Sequence, residues 1–342
     1  MHPLMSKHLY VALACAVGLF SATPAQSQDY KDWSVACDNI LHCEAAGTQT
    51  EDGDSDPVSL WLARDAGPGA PLKAKIAVQR DDDVPIGTLT LKIGKFVLRG
   101  LEADAELSPA QASALLAHAL EADNAEISDG KTRWTLSFAG LKAALLKIDD
   151  VQGRIGTPGA LLRRGNKPEA SVPPPKPVPT VRAAAVPKGI APSDKVLDAI
   201  LNEAKKSGDA CFEDLPDDQD PAASIQAISA TQVLVIRDCW RAAYQSGIGV
   251  WIANAKPPYR PKRVRFPVPG GTPEDTVSNG EFDGVTMQGY GKGRGLFDCG
   301  AGWTWVWTGA QFELTEAWSG PLCRGMPGGG TQLRTWIATV VK

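Results

Sequence analysis

The cysteines of this chain, and the compartment its first residues point to, constrain its folding more than any other feature. Met1 to His8 carries a positive charge at Lys7 and no acidic residue. Leu9 to Phe20 is an unbroken apolar run, shorter than the roughly 20 residues a bilayer-spanning helix needs. It gives way to small residues from Ser21 to Ser27. That order of charge, apolar run and small residues reads as a cleavable secretory signal over residues 1–27, with cleavage expected after Ala25 or Ser27. Cys15 lies inside the signal, where the apolar run continues past it and Leu13 sits one place late for a lipobox. Of the seven cysteines, the six that remain fall into three local couples: Cys37 with Cys43, Cys211 with Cys239, and Cys299 with Cys323. In an oxidising compartment an even set of thiols is expected to pair. Each bridge should contribute about 2–4 kcal/mol by restricting the unfolded chain, less for the shortest loop. The expectation is a soluble periplasmic protein with no transmembrane segment after signal cleavage.

The formal net charge is −4, and loss of Lys7 with the signal makes it one unit more negative. A mildly acidic chain is a poor general binder of phosphate backbones, so nucleic acid is not an expected partner.

A boundary is visible at residues 166–192, which hold Pro168, Pro173 to Pro175, Pro177, Pro179, Pro187 and Pro192. Proline lacks a ladder donor and favours extended backbone, so this stretch reads as a semi-rigid spacer. It separates an N-terminal domain, 28–165, from a C-terminal domain, 193–342. Period-two alternation in the first, as at Val58 to Leu62 and Leu89 to Ile93, predicts a half-buried antiparallel sheet. Two helices interrupt it. Ser108-Pro109-Ala110-Gln111 is a capping box with proline at the first helical position, and Phe138, Leu141, Leu145 and Ile148 share one face of a second helix. The second domain opens with a helix capped by Ser193 and stopped at Gly208. Strands are expected at Val233 to Asp238, Gly249 to Ala253, Val277 to Met287, Trp303 to Trp307, Phe312 to Ala317 and Leu333 to Val340, with turns at Asn279-Gly280 and Asp283-Gly284. The fold class is mostly β with a few helices: a C-terminal antiparallel β domain opened by one helix, joined by the proline-rich linker to an N-terminal β domain.

Lys292-Gly293-Arg294-Gly295-Leu296-Phe297-Asp298-Cys299-Gly300, Trp305-Val306-Trp307-Thr308-Gly309, Phe312-Glu313-Leu314, Cys323-Arg324-Gly325 and the upstream Cys239-Trp240-Arg241-Ala242-Ala243-Tyr244 resemble the 1176 family of domains of unknown function. That family brings no biochemical activity with it. Trp33 to Cys43, with Ser137 to Leu145, is similar to the invasion-associated locus B family of envelope proteins, and this similarity implies a β-sandwich for the first domain.

The strongest candidate surface is Trp303, Trp305 and Trp307, because residues two apart on a strand share a face and three indoles would form a row. The bland reading is that they fill a small β core. A second candidate is a basic glycine-rich loop, Gly289 to Gly295, whose Lys292 and Arg294 would be joined by Arg324 across a Cys299–Cys323 bridge to hold an anion. It has neither Walker spacing nor a dinucleotide fingerprint. Asp52, Asp54 and Asp56 start a calcium-loop spacing, but Pro57 and Ala63 break it. The cluster Asp214, Asp217, Asp218 and Asp220 fits no better template. His42 and His118 are the histidines left after processing, too few for most histidine chemistry, and no nucleophile elbow is present. Glu281, Asp283 and Asp298 are candidate carboxylates for a glycosidic pair.

No catalytic residue, metal site or cofactor is assigned. The preferred reading is a non-enzymatic binding or interaction protein of the cell envelope, with a cell-wall glycan or another envelope protein as partner. The alternative is a carbohydrate-active hydrolase with an acidic pair beside the Trp row.

Overall fold

Val58, Leu60 and Leu62 alternate with Ser59, Trp61 and Ala63, and the same alternation of Leu72, Ala74, Ile76 and Val78 follows on the next strand. That period builds the first sheet. The computed structural model describes residues 27–80, 84–185, 192–213 and 221–342. Strands β1 (Gln28–Tyr30), β2 (Trp33–Cys37), β3 (Cys43–Thr48), β4 (Val58–Arg64) and β5 (Leu72–Val78) form an antiparallel meander in chain order. A second antiparallel sheet runs β7-β6-β8-β9, from β6 (Leu89–Ile93), β7 (Phe96–Leu101), β8 (Asn124–Ser128) and β9 (Arg133–Ser137). One core joins the two: Trp33, Leu60 and Ile76 from the first sheet meet Leu91, Ile127 and Trp134 from the second. Helices α1 (Pro109–Ala119) and α2 (Leu141–Val151) add Leu115 and Leu145 to it.

Local chemistry sets the helix ends. Ser108 accepts from the Gln111 N–H while the Gln111 side chain accepts from the Ser108 N–H, with Pro109 first in the helix, satisfying two backbone donors reciprocally. α2 starts three residues later than the apolar face suggested: Phe138 is buried ahead of it, and Gly140 at φ 102° makes the turn in.

The first sheet departs from the half-buried expectation. β3 is buried at all six positions and β2 at four of five. The outer face is covered by the C-terminal half, where Leu333 packs with Ala36 and Ala46, and Trp61 lies partly buried against them. Alternation in sequence shows which face meets a strand's own core, and says nothing of a second body laid on the other face.

Over residues 166–185 the proline-rich stretch is held by contacts to the N-terminal half and by a strand pairing. Glu169 accepts from the Gly69 and Gly159 backbone N–H groups at 3.1 and 3.0 Å, and Pro173 and Pro175 lie close against Gly153 and Gly67. The proline-free window Thr180–Arg182 retains its donors and forms β10, which pairs parallel with β21 (Thr339–Val341) near the C-terminus. Pro187 lies outside the described residues, as do residues 1–26 of the signal and the cluster at Asp214, Asp217, Asp218 and Asp220.

The C-terminal half opens with α3 (Asp194–Lys206), ended by Gly208 at φ 75°. Sheet order β11-β12-β13-β14 follows, from β11 (Ala223–Ala227), β12 (Gln232–Arg241), β13 (Ser246–Asn254) and β14 (Lys262–Arg263), with β15 (Thr276–Ser278) also on β13. The last sheet is β16 (Glu281–Phe282), β17 (Thr286–Lys292), β18 (Gly300–Trp307), β19 (Phe312–Gly320) and β20 (Leu333–Ile337), antiparallel in that order. The single strand expected over 277–287 is therefore three pieces. It is cut at Asn279-Gly280 and again at Asp283, whose carboxylate accepts from the Val285 and Thr286 N–H groups. Phe266, Met287, Trp305 and Phe312 centre one core of this half. Ile200, Val233, Val235 and Trp251 centre another, between α3 and the β12–β13 pair. The fold is mostly β, and the three disulfides join Cys37 to Cys43, Cys211 to Cys239 and Cys299 to Cys323.

Candidate functional site

The alternation that sends Val58, Leu60 and Leu62 inward sends Ser59 and Trp61 outward, onto the face that meets the C-terminal half. A cleft of about 490 Å³ lies there, between strands β3 to β5 on one side and the loop after β19 on the other. Trp61 sits directly across from Lys75 on β5, and the Lys75 Nζ lies 5.9 Å from the indole centroid, within cation–π reach. The same ammonium is 4.0 Å from Asp104. From the opposite side come Met326, Pro327, Gly330, Thr331 and Gln332, while Gln79 is exposed at the end of the Trp61 wall. The Ser59 and Thr331 hydroxyls share a 2.6 Å hydrogen bond where the two walls meet.

The loop that forms the second wall owes its path to glycine. Gly328, Gly329 and Gly330 all have positive φ, and a Cβ on Gly330 would lie 2.6 Å from the Asp298 carbonyl oxygen. Side chains other than glycine rarely adopt that backbone.

Behind the cleft a polar network fixes the two halves together. His42 is bracketed by Asp65 on Nδ1 at 2.7 Å and Glu44 on Nε2 at 3.2 Å. The other Glu44 oxygen accepts from the Arg334 backbone N–H at 2.5 Å, and the Arg334 Nε donates to Asp38 at 2.7 Å. Burial works to lower the His42 pKa, yet its hydrogen bonds to Glu44 and Asp65 outweigh that and lift it above the ordinary 6.5. Asp65 is held below the usual carboxylate range, its own desolvation overcome by the bond to His42. His42 is thus a structural ion-pair partner and sits beside a closed Cys37–Cys43 disulfide that has no thiolate to offer a metal.

The Trp row is core. Trp305 is 1 % and Trp307 3 % exposed, and both belong to the cluster around Phe266 and Phe312, with the partly buried Trp303 packed on it. The Trp305 Nε1 donates to the Pro267 carbonyl. A register shift between Thr304 and Trp305 also interrupts the strand beside Trp303. Trp305 and Trp307 offer no face to a sugar, so the three indoles do not form an open row beside which a hydrolytic acidic pair could work. Its proposed members do not converge: Asp283 caps a turn, Glu281 is exposed, and Asp298 is buried against Arg294 and the Gly325 N–H.

Lys292, Arg294 and Arg324 do not form an anion cradle, because each cation has a partner of its own. The Lys292 ammonium lies over the Phe297 ring. The Arg294 guanidinium is bound by Asp298, which holds it above its ordinary pKa. Arg324 reaches the N-terminal half, to Asp32 at 3.6 Å and Glu51 at 3.2 Å. Asp298 lies with the Cys299 and Cys323 sulfurs within 4.8 Å, but both sulfurs are in the disulfide. Asp52 and Asp54 are exposed loop residues, and exposed His118 stacks on Phe96.

The cleft residues Trp61, Lys75 and Thr331 escaped the sequence reading. One signal was available: an indole at Trp61, on the polar phase of an otherwise alternating strand. Nothing local marked Thr331, 272 positions away, as the neighbour of Ser59 on that strand.

A family model described as a protein of unknown function, DUF1176, matches residues 27–340. The chain belongs to that family. Among its relatives is the uncharacterized protein YpfG of Escherichia coli (strain K12), 30 % identical over 92 % of this chain and 94 % of the relative. No solved structure matches. In this DUF1176 chain both walls of the cleft lie within the residues the family covers. Among the described residues, no helix is long and apolar enough to cross a membrane.

Proposed function

We propose that this protein is an exported, non-enzymatic binding protein of the cell envelope, and that its cleft takes a cell-wall glycan. The observation that carries the reading is the Trp61 indole on the open wall beside Lys75, faced by the hydroxyl and amide groups of Thr331 and Gln332. An aromatic face packs against the C–H face of a sugar ring, while amides, hydroxyls and an ammonium satisfy its hydroxyl groups. Export is supported by the charge, apolar run and small residues of 1–27 and by the pairing of all six later cysteines. The similarity we read between Trp33 to Cys43, with Ser137 to Leu145, and the invasion-associated locus B family of envelope proteins would imply the same address. We place the domain boundaries at the proline-rich stretch 166–192, with the 28–165 and 193–342 domains each supplying one wall of the cleft.

Cosedimentation with purified peptidoglycan sacculi tests the reading. The wild-type protein should sediment with them, and Trp61→Ala should weaken binding about tenfold, equivalent to about 1.4 kcal/mol. Wild-type protein left in the supernatant, or a Trp61→Ala variant that binds as well, would overturn it. Mature protein recovered from the periplasm should begin after Ala25 or Ser27.

A further inference from the structure

The three disulfides sit in different electrostatic surroundings. At Cys211–Cys239 a guanidinium approaches each sulfur: Arg237 Nη1 lies 3.6 Å from the Cys211 Sγ, and Arg263 Nη2 lies 3.5 Å from the Cys239 Sγ. Each is braced by a ring, Arg237 over Phe212 at 4.5 Å and Arg263 over Trp251 at 4.4 Å. Gly249 makes the room, since a Cβ there would lie 2.6 Å from both the Cys239 Sγ and Arg263. Both cysteines, 4 % and 2 % exposed, line a pocket of about 360 Å³ whose walls include Trp240, Arg265 and Asp275. The acidic groups nearby are engaged: Asp209 accepts from Arg263 and Trp251, Asp238 pairs with Arg241, and Asp275 on the pocket wall accepts from the Thr276 hydroxyl. The other two bridges lack this setting. Among the described residues no guanidinium lies on a sulfur of either: at Cys299–Cys323 Arg294 is taken up by Asp298 beside the bridge, and near Cys37–Cys43 the cations Arg334 and His42 are taken up by Asp38, Glu44 and Asp65.

We propose that Cys211–Cys239 is a thiol-exchange site, the disulfide of this chain that reacts with an external thiol entering through the pocket. An incoming thiolate attacks the Cys239 Sγ, forms a mixed disulfide, and expels the Cys211 thiolate beside Arg237. A second external thiolate then attacks the external sulfur of that mixed disulfide. This releases the oxidised reductant as its own disulfide and leaves the Cys239 thiolate beside Arg263. Two electrons pass from two external thiolates to the two protein sulfurs. A lower pKa of the leaving thiol speeds exchange, and neighbouring guanidiniums supply it. Reduction also cuts the covalent tie between β12 and the turn that follows α3.

The test is graded exposure of the full-length oxidised protein to reduced glutathione, with differential alkylation read by mass spectrometry. Cys211 and Cys239 should become labelled about tenfold faster than the other four cysteines. Equal or faster opening of either other bridge overturns the proposal. In Arg237→Gln and Arg263→Gln, exchange at this bridge should slow several-fold, while Arg263→Lys keeps most of the rate; unchanged rates in both Gln variants also overturn it. Should the Gln variants fail to fold, the wild-type order of opening decides alone. In the reduced protein, iodoacetamide labelling against pH should put these thiols below the ordinary value of about 8.5, and a value at or above it counts against the site.

Discussion

The Arg334 guanidinium donates from Nε to the fully buried Asp38 carboxylate at 2.7 Å, joining residues 296 positions apart. Asp38 in turn accepts from the Ile40 and His42 N–H groups, so the same carboxylate shapes the tight turn between Cys37 and Cys43 and docks β20 on the first sheet. The two halves therefore share a polar joint at the back of the cleft, beside the Ser59–Thr331 and Arg324 contacts.

Removing Arg334 leaves that carboxylate buried and short of its cation. Arg334→Ala should cost about 2 kcal/mol, below the roughly 3–5 kcal/mol of a fully buried pair because the arginine is a third exposed. Urea denaturation read by tryptophan fluorescence measures this, and a midpoint equal to wild type would show the joint to be ornamental.

Trp305 fills the centre of the second core with its indole N–H paired. Trp305→Ala should destabilise by about 3–5 kcal/mol through the cavity it leaves. The same substitution in protein that remains folded should leave sacculus binding intact, which separates a core residue from a platform. Loss of binding without loss of stability would return the Trp row to candidacy.

Disulfide pairing, the capping box at Ser108 and most strands were legible because each depends on residues close in sequence. Turn chemistry at Asn279-Gly280 was legible too, and it outweighed the apolar pattern that spans it. What could not be read was anything set by docking. Alternation in Val58 to Leu62 cannot show whether Trp61 faces water, a ligand or another domain. The Trp303 to Trp307 pattern is equally consistent with a row of rings on a surface and with a packed core, and only the strands laid over it decide. The proline-rich stretch likewise has the composition of a spacer, while its anchorage depends on Gly67, Gly69 and Gly159, which carry no sequence mark of that role.

Glu169 is the main anchor of that stretch, accepting two backbone N–H groups and facing the buried Arg154 at 3.4 Å. The Gly69 and Gly159 bonds hold its carboxyl below the ordinary range despite some desolvation. Glu169→Ala should strip these acceptors and expose residues 168–175 to limited proteolysis, with cleavage several-fold faster than in wild type. Hydrogen exchange at Gly69 and Gly159 should rise in parallel, and unchanged protection there would contradict the anchoring role.

His42 makes stability depend on pH, with a sign fixed by its surroundings. Asp65 and Glu44 bond its two ring nitrogens, Lys73 pairs with Asp65 from β5, and Arg334 faces it from β20 as an opposing charge. The net effect raises its folded pKa above the ordinary value of about 6.5. A group raised on folding contributes stability that is full below its unfolded pKa and is lost as pH rises through the folded one. Asp65, depressed on folding, contributes above its own unfolded value near 3.8 and loses that contribution only in stronger acid. Over the interval that begins near pH 6.5 and runs up through the raised folded value, the histidine therefore governs this joint. The melting temperature should fall by a few degrees across that interval as the ring deprotonates, and His42→Gln should flatten the slope. Thermal melts in matched ionic strength read both, and a His42→Gln profile that still follows the wild-type slope would assign the pH dependence to another group.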